Sequence, residues 1–283
     1  MAESWFKLGR NDQCEALEVA ASALGRPAHL LEKDIWVVWT LDAVYQSTLG
    51  DTLTFKGGTS LSKAYKLIER FSEDIDLTYD IRALVPDLLR EGNPIPLTTS
   101  QEKKISTAVR ARLPQWITET VVPILHDALQ TAGIDAQLVI GGEAKDKLLL
   151  TYPVLKTGTG YAAASVLLEF GARATGEPHQ TRSISCDMAD VINEVAFPIA
   201  APRVMKAERT FWEKATAAHV YCAQGRLRGE RYSRHWYDIA AFAKSPLLEQ
   251  AAEDHVLANQ VAEHKSMFQG HTRLTDTCLL DIF

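Results

Sequence analysis

Residues 55–80, FKGGTSLSKAYKLIERFSEDIDLTYD, constrain the fold more than any other part of this 283-residue chain. A short extended run at 53–55 leads into two adjacent glycines, which predicts a strand that ends in a tight turn. Residues 60–70 have helical composition, whereas 71–79 alternate polar and apolar residues, a pattern typical of a half-buried strand. The expected order is strand, glycine turn, helix, strand.

Asp74 and Asp76 are two positions apart in the second predicted strand, so we expect both carboxylates on one side of the sheet. Carboxylate oxygens suit Mg²⁺, and transfer of a nucleotidyl group typically uses two ions about 3.5–4 Å apart. The glycine turn and the helix start that follows it offer amide groups to triphosphate oxygens. The predicted nucleotide-binding residues of this segment are Gly57, Gly58, Thr59 and Ser60.

A third carboxylate on a neighbouring strand usually completes such a metal site. Glu169 is the main candidate, because it interrupts the otherwise apolar run VLLEF at 166–170. Burying a charge is costly unless a partner or a metal ion compensates it. Asp80 and Asp146 are weaker alternatives. A DxD sequence by itself is more often a solvated strand edge or turn, so the glycine turn before it carries much of the argument.

The rest of the chain indicates an α+β protein with a mixed sheet and flanking helices. We predict helices at 11–24, 29–45, 101–112, 115–132, 207–224 and 234–244, with Pro114 separating the third from the fourth. Further strands are expected at 136–140, 147–152, 165–171 and 182–186. The change to helical patterns places a domain boundary near Ala201, which gives a catalytic domain at 1–201 and a mainly helical domain at 202–283.

Composition excludes several classes of protein. The apolar runs are far shorter than the ~20 residues of a membrane helix, and the first residues do not resemble a secretory signal. The four cysteines form no CxxC pair and are expected to be buried in a reducing compartment, while the dispersed histidines suggest no metal ligand. A net charge of −6 argues against a general nucleic-acid binder. We therefore expect a cytoplasmic protein without a membrane segment.

The sequences FKGGTSLSKAY and RFSEDIDL resemble the signature of the AbiEii/AbiGii toxin family, a branch of the nucleotidyltransferases with a DNA polymerase β-like catalytic fold. LEKD at 31–34 and EFGAR at 169–173 extend this resemblance, which covers residues 29–245. In that family a helix similar to 206–214 supplies an essential lysine and a later helix an essential aspartate. The matching residues are Lys214 and Asp238.

Lys206, Thr210 and Lys214 are four apart, so we expect them to share an outward helix face. The predicted apolar face consists of Phe211, Ala215, Ala218 and Cys222. Without the resemblance, the polar stripe would be read as a solvated face with an Arg209–Glu213 pair.

Four arginines lie close together between the two C-terminal helices, with Tyr232 and Trp236 among them. Such a patch suits contact with a phosphate backbone and stacking on bases, although a solvated loop is an equal alternative. The candidate RNA-binding residues are Arg226, Arg228, Arg231 and Arg234.

The resemblance implies the toxin of a type IV toxin–antitoxin or abortive-infection system, which moves a nucleotide from an NTP to an RNA acceptor, the 3′ end of tRNA. A separately encoded antitoxin would accompany it, with direct contact left open, and Ser72 would be a modified or regulatory position. Two alternatives remain: transfer to a protein or a small molecule such as an aminoglycoside, or a nucleotide- or RNA-binding module without activity.

Overall fold

A computed structural model describes residues 2–90, 93, 95–96, 98–158, 163–223 and 231–268. For Ala223, Arg231 and Tyr232 the description covers the backbone only. Its helices are α1 (Arg10–Leu24), α2 (Ala28–Tyr45), α3 (Gly57–Lys63), α4 (Ile81–Leu84), α5 (Thr99–Trp116), α6 (Val122–Ala132), α7 (Ala207–Ala223), α8 (Arg231–Phe242), α9 (Leu247–Glu253) and α10 (His255–Phe268).

The strands form one seven-stranded mixed sheet and two small two-stranded sheets. They are β1 (Glu3–Ser4), β2 (Leu53–Lys56), β3 (Ile75–Tyr79), β4 (Gln137–Gly141), β5 (Lys147–Thr151), β6 (Ser165–Gly171), β7 (His179–Thr181), β8 (Ile184–Ser185), β9 (Val195–Ala196), β10 (Ile199–Ala200) and β11 (Arg203–Met205). The central sheet has the order β4-β5-β6-β3-β2-β11-β7. Strands β3 and β6 are parallel, whereas β2 is antiparallel to β3. The predicted α+β class with a mixed sheet is confirmed.

The helix after the glycine turn differs from the predicted 60–70. It begins at Gly57 and ends at Lys63, and Lys66 has a left-handed φ of 52°, which turns the chain away from the helix axis. Residues 64–74 therefore form a connection, and β3 begins only at Ile75. Asp74 precedes the strand, so alternation along the strand does not by itself fix its direction.

Pro114 does not separate two helices as predicted. It lies inside α5, and a π-helical turn at Ile117–Val121 joins α5 directly to α6. This wider turn comes just before Pro123, where a regular helix would lose a backbone donor and meet the proline ring. The predicted strand at 182–186 is reduced to β8 at Ile184–Ser185, which pairs with β10 outside the central sheet. The strand that joins the central sheet here is β7, which ends at Thr181 and pairs with β11.

Two hydrophobic clusters form the core. The larger joins the central sheet to α1, α2, α5 and α6. The smaller unites the C-terminal helices with Leu61 and Ile68, so it includes residues on both sides of the predicted boundary near Ala201, which stays a prediction. Within the described residues, no helix is long and apolar enough to cross a membrane.

Candidate active site

Three charged residues meet across adjacent strands at the centre of the sheet. Asp76 on β3 lies opposite Lys56 on β2 and opposite Glu169 on β6. Cross-strand partners project to the same face of a sheet, so strand pairing brings Asp76 and Glu169 together as the sequence predicted. Asp74 is one step before the strand and close enough for its charge to act on Asp76.

Burial and neighbouring carboxylates raise the pKa of both aspartates of this group. Burial raises the pKa of Asp76 to about 6, and the charges of Glu169 and Asp74 add to this effect while those of Lys56 and Lys214 oppose it. The pKa of Asp74 is also raised, first by burial and then by Glu73 and Glu169. Negative charge is therefore concentrated here, and a divalent cation would relieve the repulsion.

Glu169 forms an ion pair with Lys147 on β5. Among the described residues, no three His, Cys, Asp or Glu side chains converge closely enough to hold a metal ion. Of the weaker candidates, Asp80 caps α4 and pairs with Arg82, whereas Asp146 lines a cleft beside the site.

Neighbouring side chains leave no room for a Cβ atom at either of the two glycines. Gly57 has a left-handed φ of 79°, and a Cβ there would lie 2.0 Å from Oδ2 of Asp76. A Cβ at Gly58 would lie 2.6 Å from Nη2 of Arg70 and 2.7 Å from Oγ of Ser72. The glycine turn thus lets the backbone pass directly beside the central carboxylate.

Replacing Gly57 with alanine should disable the site, and Gly25→Ala is the matched control. Both glycines have a left-handed φ, but a Cβ at Gly25 meets nothing within 4 Å. Each variant should lose on the order of 1 kcal/mol of stability from backbone strain. Only Gly57→Ala should also displace Asp76 and lower nucleotidyl transfer by about 10²-fold. Equal activity of the two variants would contradict this role of Gly57.

Thr59 and Ser60 are buried and their hydroxyls already have acceptors. Thr59 donates a hydrogen bond to the backbone oxygen of Asp74 at 2.6 Å and accepts one from the hydroxyl of Ser72 at 3.0 Å. Ser60 donates to the backbone oxygen of Gly57 at 2.9 Å. These bonds tie the glycine turn to the residues before β3. Phosphate contact by the two hydroxyls stays a prediction.

Lys214 and Asp238 meet although they belong to different helices. Nζ of Lys214 lies 2.8 Å from Oδ2 of Asp238, whose carboxylate is fully buried. Arg70 donates to both oxygens of the same carboxylate, each at 2.7 Å. Burial alone would raise the pKa of Asp238, but the hydrogen bonds from Arg70 and Lys214 hold it below its usual value. Lys214, Asp238 and Arg70 therefore form a network of charged side chains beside Asp76.

The prediction of an outward polar face on α7 is wrong in part. Lys206 is exposed, but Thr210 and Lys214 are buried, and Cys222, predicted on the apolar face, is exposed. Lys214 is turned inward because Asp238 on α8 binds it there. The predicted apolar residues Phe211, Ala215 and Ala218 are buried, and Arg209 pairs with Glu213 at 3.4 Å.

Arg70, Lys56 and Glu213 belong to the site, although the sequence pattern did not indicate them. Lys56 pairs with Glu213 at 3.2 Å, which connects the end of β2 to α7. Arg70 falls at the end of the predicted helix, whereas it lies in the connection before β3. The position of Lys56 directly before the two glycines was the available signal.

Residues 31–34 of α2 form ion pairs with the segments that follow the glycine turn. Lys63 at the end of α3 contacts Asp34 at 2.6 Å and Asp187 at 2.8 Å, and Lys33 pairs with Glu73. These ion pairs join α2 to the end of the helix that follows the glycine turn and to the residue before Asp74.

The predicted arginine patch is described only in part. Arg226 and Arg228 lie outside the described residues, and only the backbone of Arg231 is described. Arg234 is exposed on α8, and its positive charge opposes in part the raised pKa of Asp74. Trp236 is 48% exposed on the same helix, next to the helix turn that presents Asp238.

A mixed sheet that carries Asp76 and Glu169 side by side, with a glycine turn and buried cations around them, defines a nucleotidyltransferase. Comparison with known proteins identifies the branch. A family model for nucleotidyl transferase AbiEii toxins of type IV toxin–antitoxin systems matches residues 39–278. The chain belongs to this family of nucleotidyltransferase toxins.

The fold has a counterpart among solved structures. MenT4, a nucleotidyltransferase toxin from Mycobacterium tuberculosis H37Rv, is 18% identical, and the alignment covers 94% of this chain and 74% of that one with a TM-score of 0.51. At this identity the likeness shows the fold. No curated protein sequence matches the chain significantly.

Proposed function

We propose that this enzyme transfers a nucleoside monophosphate from an NTP to an RNA acceptor, the 3′ end of tRNA. The observation that supports it best is the position of the Lys214–Asp238–Arg70 network, which adjoins Asp76 and the glycine turn. Cations beside a carboxylate centre suit a bound triphosphate, whose negative charge grows on the leaving group during transfer.

Asp74 and Asp76 would hold Mg²⁺, with Glu169 as the third carboxylate. Their mutual repulsion and their hard oxygen donors fit this ion. When bound, the ions neutralise phosphate charge and lower the pKa of the attacking hydroxyl. Lys147 forms an ion pair with Glu169. This ion pair must break before all three carboxylates can bind the metal ions.

The chain's own residues have distinct tasks in the proposed reaction. Lys214 contacts the donor phosphates, Asp238 and Arg70 fix the direction of its ammonium group, and the glycine turn leaves room for the phosphates beside Asp76. The acceptor oxygen forms a bond to the α-phosphorus, and the bond from that phosphorus to the pyrophosphate oxygen breaks. Pyrophosphate departs, and the hydroxyl proton passes to water.

Replacing Lys147 with methionine should strengthen metal binding. The substitution removes the cation that neutralises Glu169 and keeps the length of the side chain. We expect the dissociation constant for Mn²⁺, measured by electron paramagnetic resonance without nucleotide, to fall about fivefold to tenfold, since removal of one ion pair corresponds to roughly 1 kcal/mol. Lys104→Met on an exposed face of α5 is the control. Weaker binding by Lys147→Met would argue against Glu169 as a ligand.

As a type IV toxin, the enzyme would be accompanied by a separately encoded antitoxin. Transfer to a protein or a small molecule would use the same donor site, so the acceptor must be found directly. The exposed Arg234 and Trp236 on α8 favour RNA, because cationic and aromatic side chains are the groups that bind the phosphates and bases of a nucleotide strand.

The test incubates the purified protein with Mg²⁺, each α-³²P-labelled NTP in turn and total bacterial tRNA, alongside Asp76→Ala. Label on tRNA with the wild type alone supports the proposal and identifies the donor. Label on a protein or on a small molecule would mean that this molecule, and not tRNA, is the acceptor. Absence of any transfer would favour a binding module without activity.

A further inference from the structure

A cleft of about 380 Å³ opens on the same face of the sheet as Asp76. Its floor includes Thr78 and Gly171, which are cross-strand partners two positions beyond Asp76 and Glu169. Helix α5 forms one wall, and α10 contributes Val261, Lys265 and Phe268. The volume is within the range of about 300–1,000 Å³ typical of small-molecule sites, which is enough for a ligand the size of a nucleotide.

The cleft is positively charged although the protein as a whole is negative. Its described lining holds three more cationic than anionic side chains, against a net charge of −6 for the chain. The cations are Lys56, Arg110, Arg173, Arg209 and Lys265, and the anions are Asp146 and Glu213.

Three of these cations are available to a ligand. Lys56 and Arg209 both pair with Glu213, whereas Arg110, Arg173 and Lys265 take part in no ion pair among the described residues. Burial lowers the pKa of Lys265, and the neighbouring charges of Lys56 and Lys214 lower it further against the opposing effect of Glu213. A bound phosphate would relieve this repulsion.

The floor of the cleft and the glycine turn lie on opposite sides of Asp76 along the strands, with Lys56 of the cleft lining opposite Asp76. On β3, Thr78 follows Asp76 by one two-residue step of about 6.6 Å, whereas β2 runs antiparallel, so the glycines that follow Lys56 lie on the side of Asp76 where β3 begins. Attacking and leaving oxygens stand roughly in line across the transferred phosphorus. A donor whose pyrophosphate rests on the glycine turn and Lys214 is therefore attacked from the side of the cleft.

We propose that this cleft holds the single-stranded 3′ end of the RNA acceptor, with backbone phosphates on Arg110, Arg173 and Lys265. The inference rests on the proposed function, and it adds the path by which the acceptor reaches Asp76. Phe268 lines the same cleft, and the centroid of its ring lies 4.9 Å from that of His264. These rings provide an aromatic surface on which the terminal base can stack.

Charge reversal separates this role from donor binding. The variants are Arg110→Glu, Arg173→Glu and their combination, with Lys104→Glu as the matched control, because Lys104 is exposed on α5 as Arg110 is but does not line the cleft. Binding of a 5′-labelled RNA hairpin with a single-stranded 3′ overhang is followed by fluorescence anisotropy without NTP. Binding of a non-hydrolysable NTP and the melting temperature are measured on the same samples.

We expect the double variant to bind the overhang RNA at least about tenfold more weakly, with a slope of log K against log salt reduced by about one for each phosphate that the protein no longer binds. NTP affinity and melting temperature should stay within about twofold and 2 °C of wild type, as for Lys104→Glu. Unchanged RNA binding, or a loss confined to NTP, would overturn the inference. Failure of the wild type to label RNA would overturn the proposed function separately, since the binding assay contains no NTP.

Discussion

Asp76→Asn should abolish nucleotidyl transfer while raising the stability of the metal-free protein. The substitution keeps the size of the side chain beside Gly57 but removes the central charge. Loss of several kcal/mol of transition-state stabilisation corresponds to a rate lower by about 10³-fold or more. The measurement is label transfer from α-³²P NTP, with circular dichroism to confirm that the variant is folded.

The gain in stability follows from the raised pKa of Asp76. Its pKa of about 6 in the folded protein exceeds the ordinary value of 3.8, so the folded state binds the proton more tightly than the unfolded state. The free energy of unfolding therefore falls as the pH rises from 3.8 to 6, by up to about 3 kcal/mol. Asparagine removes this dependence, so the variant should be the more stable protein at pH 7 to 8.

Asp135→Asn is the control, because Asp135 is exposed and far along the chain from the site. It should leave transfer unchanged and alter the free energy of unfolding at pH 7 by less than about 0.5 kcal/mol. Mg²⁺ should reverse the order of the two stabilities, since only the wild type gains from binding the ion. Residual transfer by Asp76→Asn above about a tenth of the wild-type rate would refute the central role of Asp76.

The position of Asp76 beside Glu169 could be predicted from the sequence because Asp76 is a polar position of an alternating strand and Glu169 interrupts an apolar one. A charge in such a run is costly unless it has a function or a partner, and strand alternation gives its side of the sheet. Lys147, the partner of Glu169, gave no such signal. It lies at the first position of its strand, where charged residues are common, and only the register of β5 against β6 identifies it.

Contacts between distant segments could not be predicted in this way. The helical composition of 60–70 predicts a helix that includes Arg70, and the left-handed turn at Lys66 that releases it from the helix has no local cause in the sequence. A lysine on a helix usually faces solvent, which is the basis of the expectation for Lys214. Its burial depends on Asp238, and helical periodicity contains no information about a partner on another helix.

Asp238→Asn should be the most destabilising of the substitutions considered, by about 3–5 kcal/mol. The fully buried carboxylate balances two cations, and removing one partner of a buried charged network leaves the others uncompensated. The pKa of Asp238 lies below its usual value, so this contribution is fully present above pH 3.8 and is lost as the pH falls through the folded-state pKa. Urea unfolding at pH 7 measures the loss, with Glu253→Gln on the exposed side of α9 as the control.

Lys214→Met separates the catalytic from the structural role of this network. Arg70 still donates both hydrogen bonds to Asp238 in this variant, so the carboxylate remains paired and the stability should fall by only about 1–2 kcal/mol. Transfer should nevertheless decrease by about 10²–10³-fold, as for loss of one charge-stabilising donor. Lys214→Met would then lose activity with a much smaller loss of stability than Asp238→Asn. A Lys214→Met enzyme with near wild-type transfer would mean that the lysine serves only to balance Asp238, and the phosphate contact would have to be assigned to Lys56 or Lys265 instead.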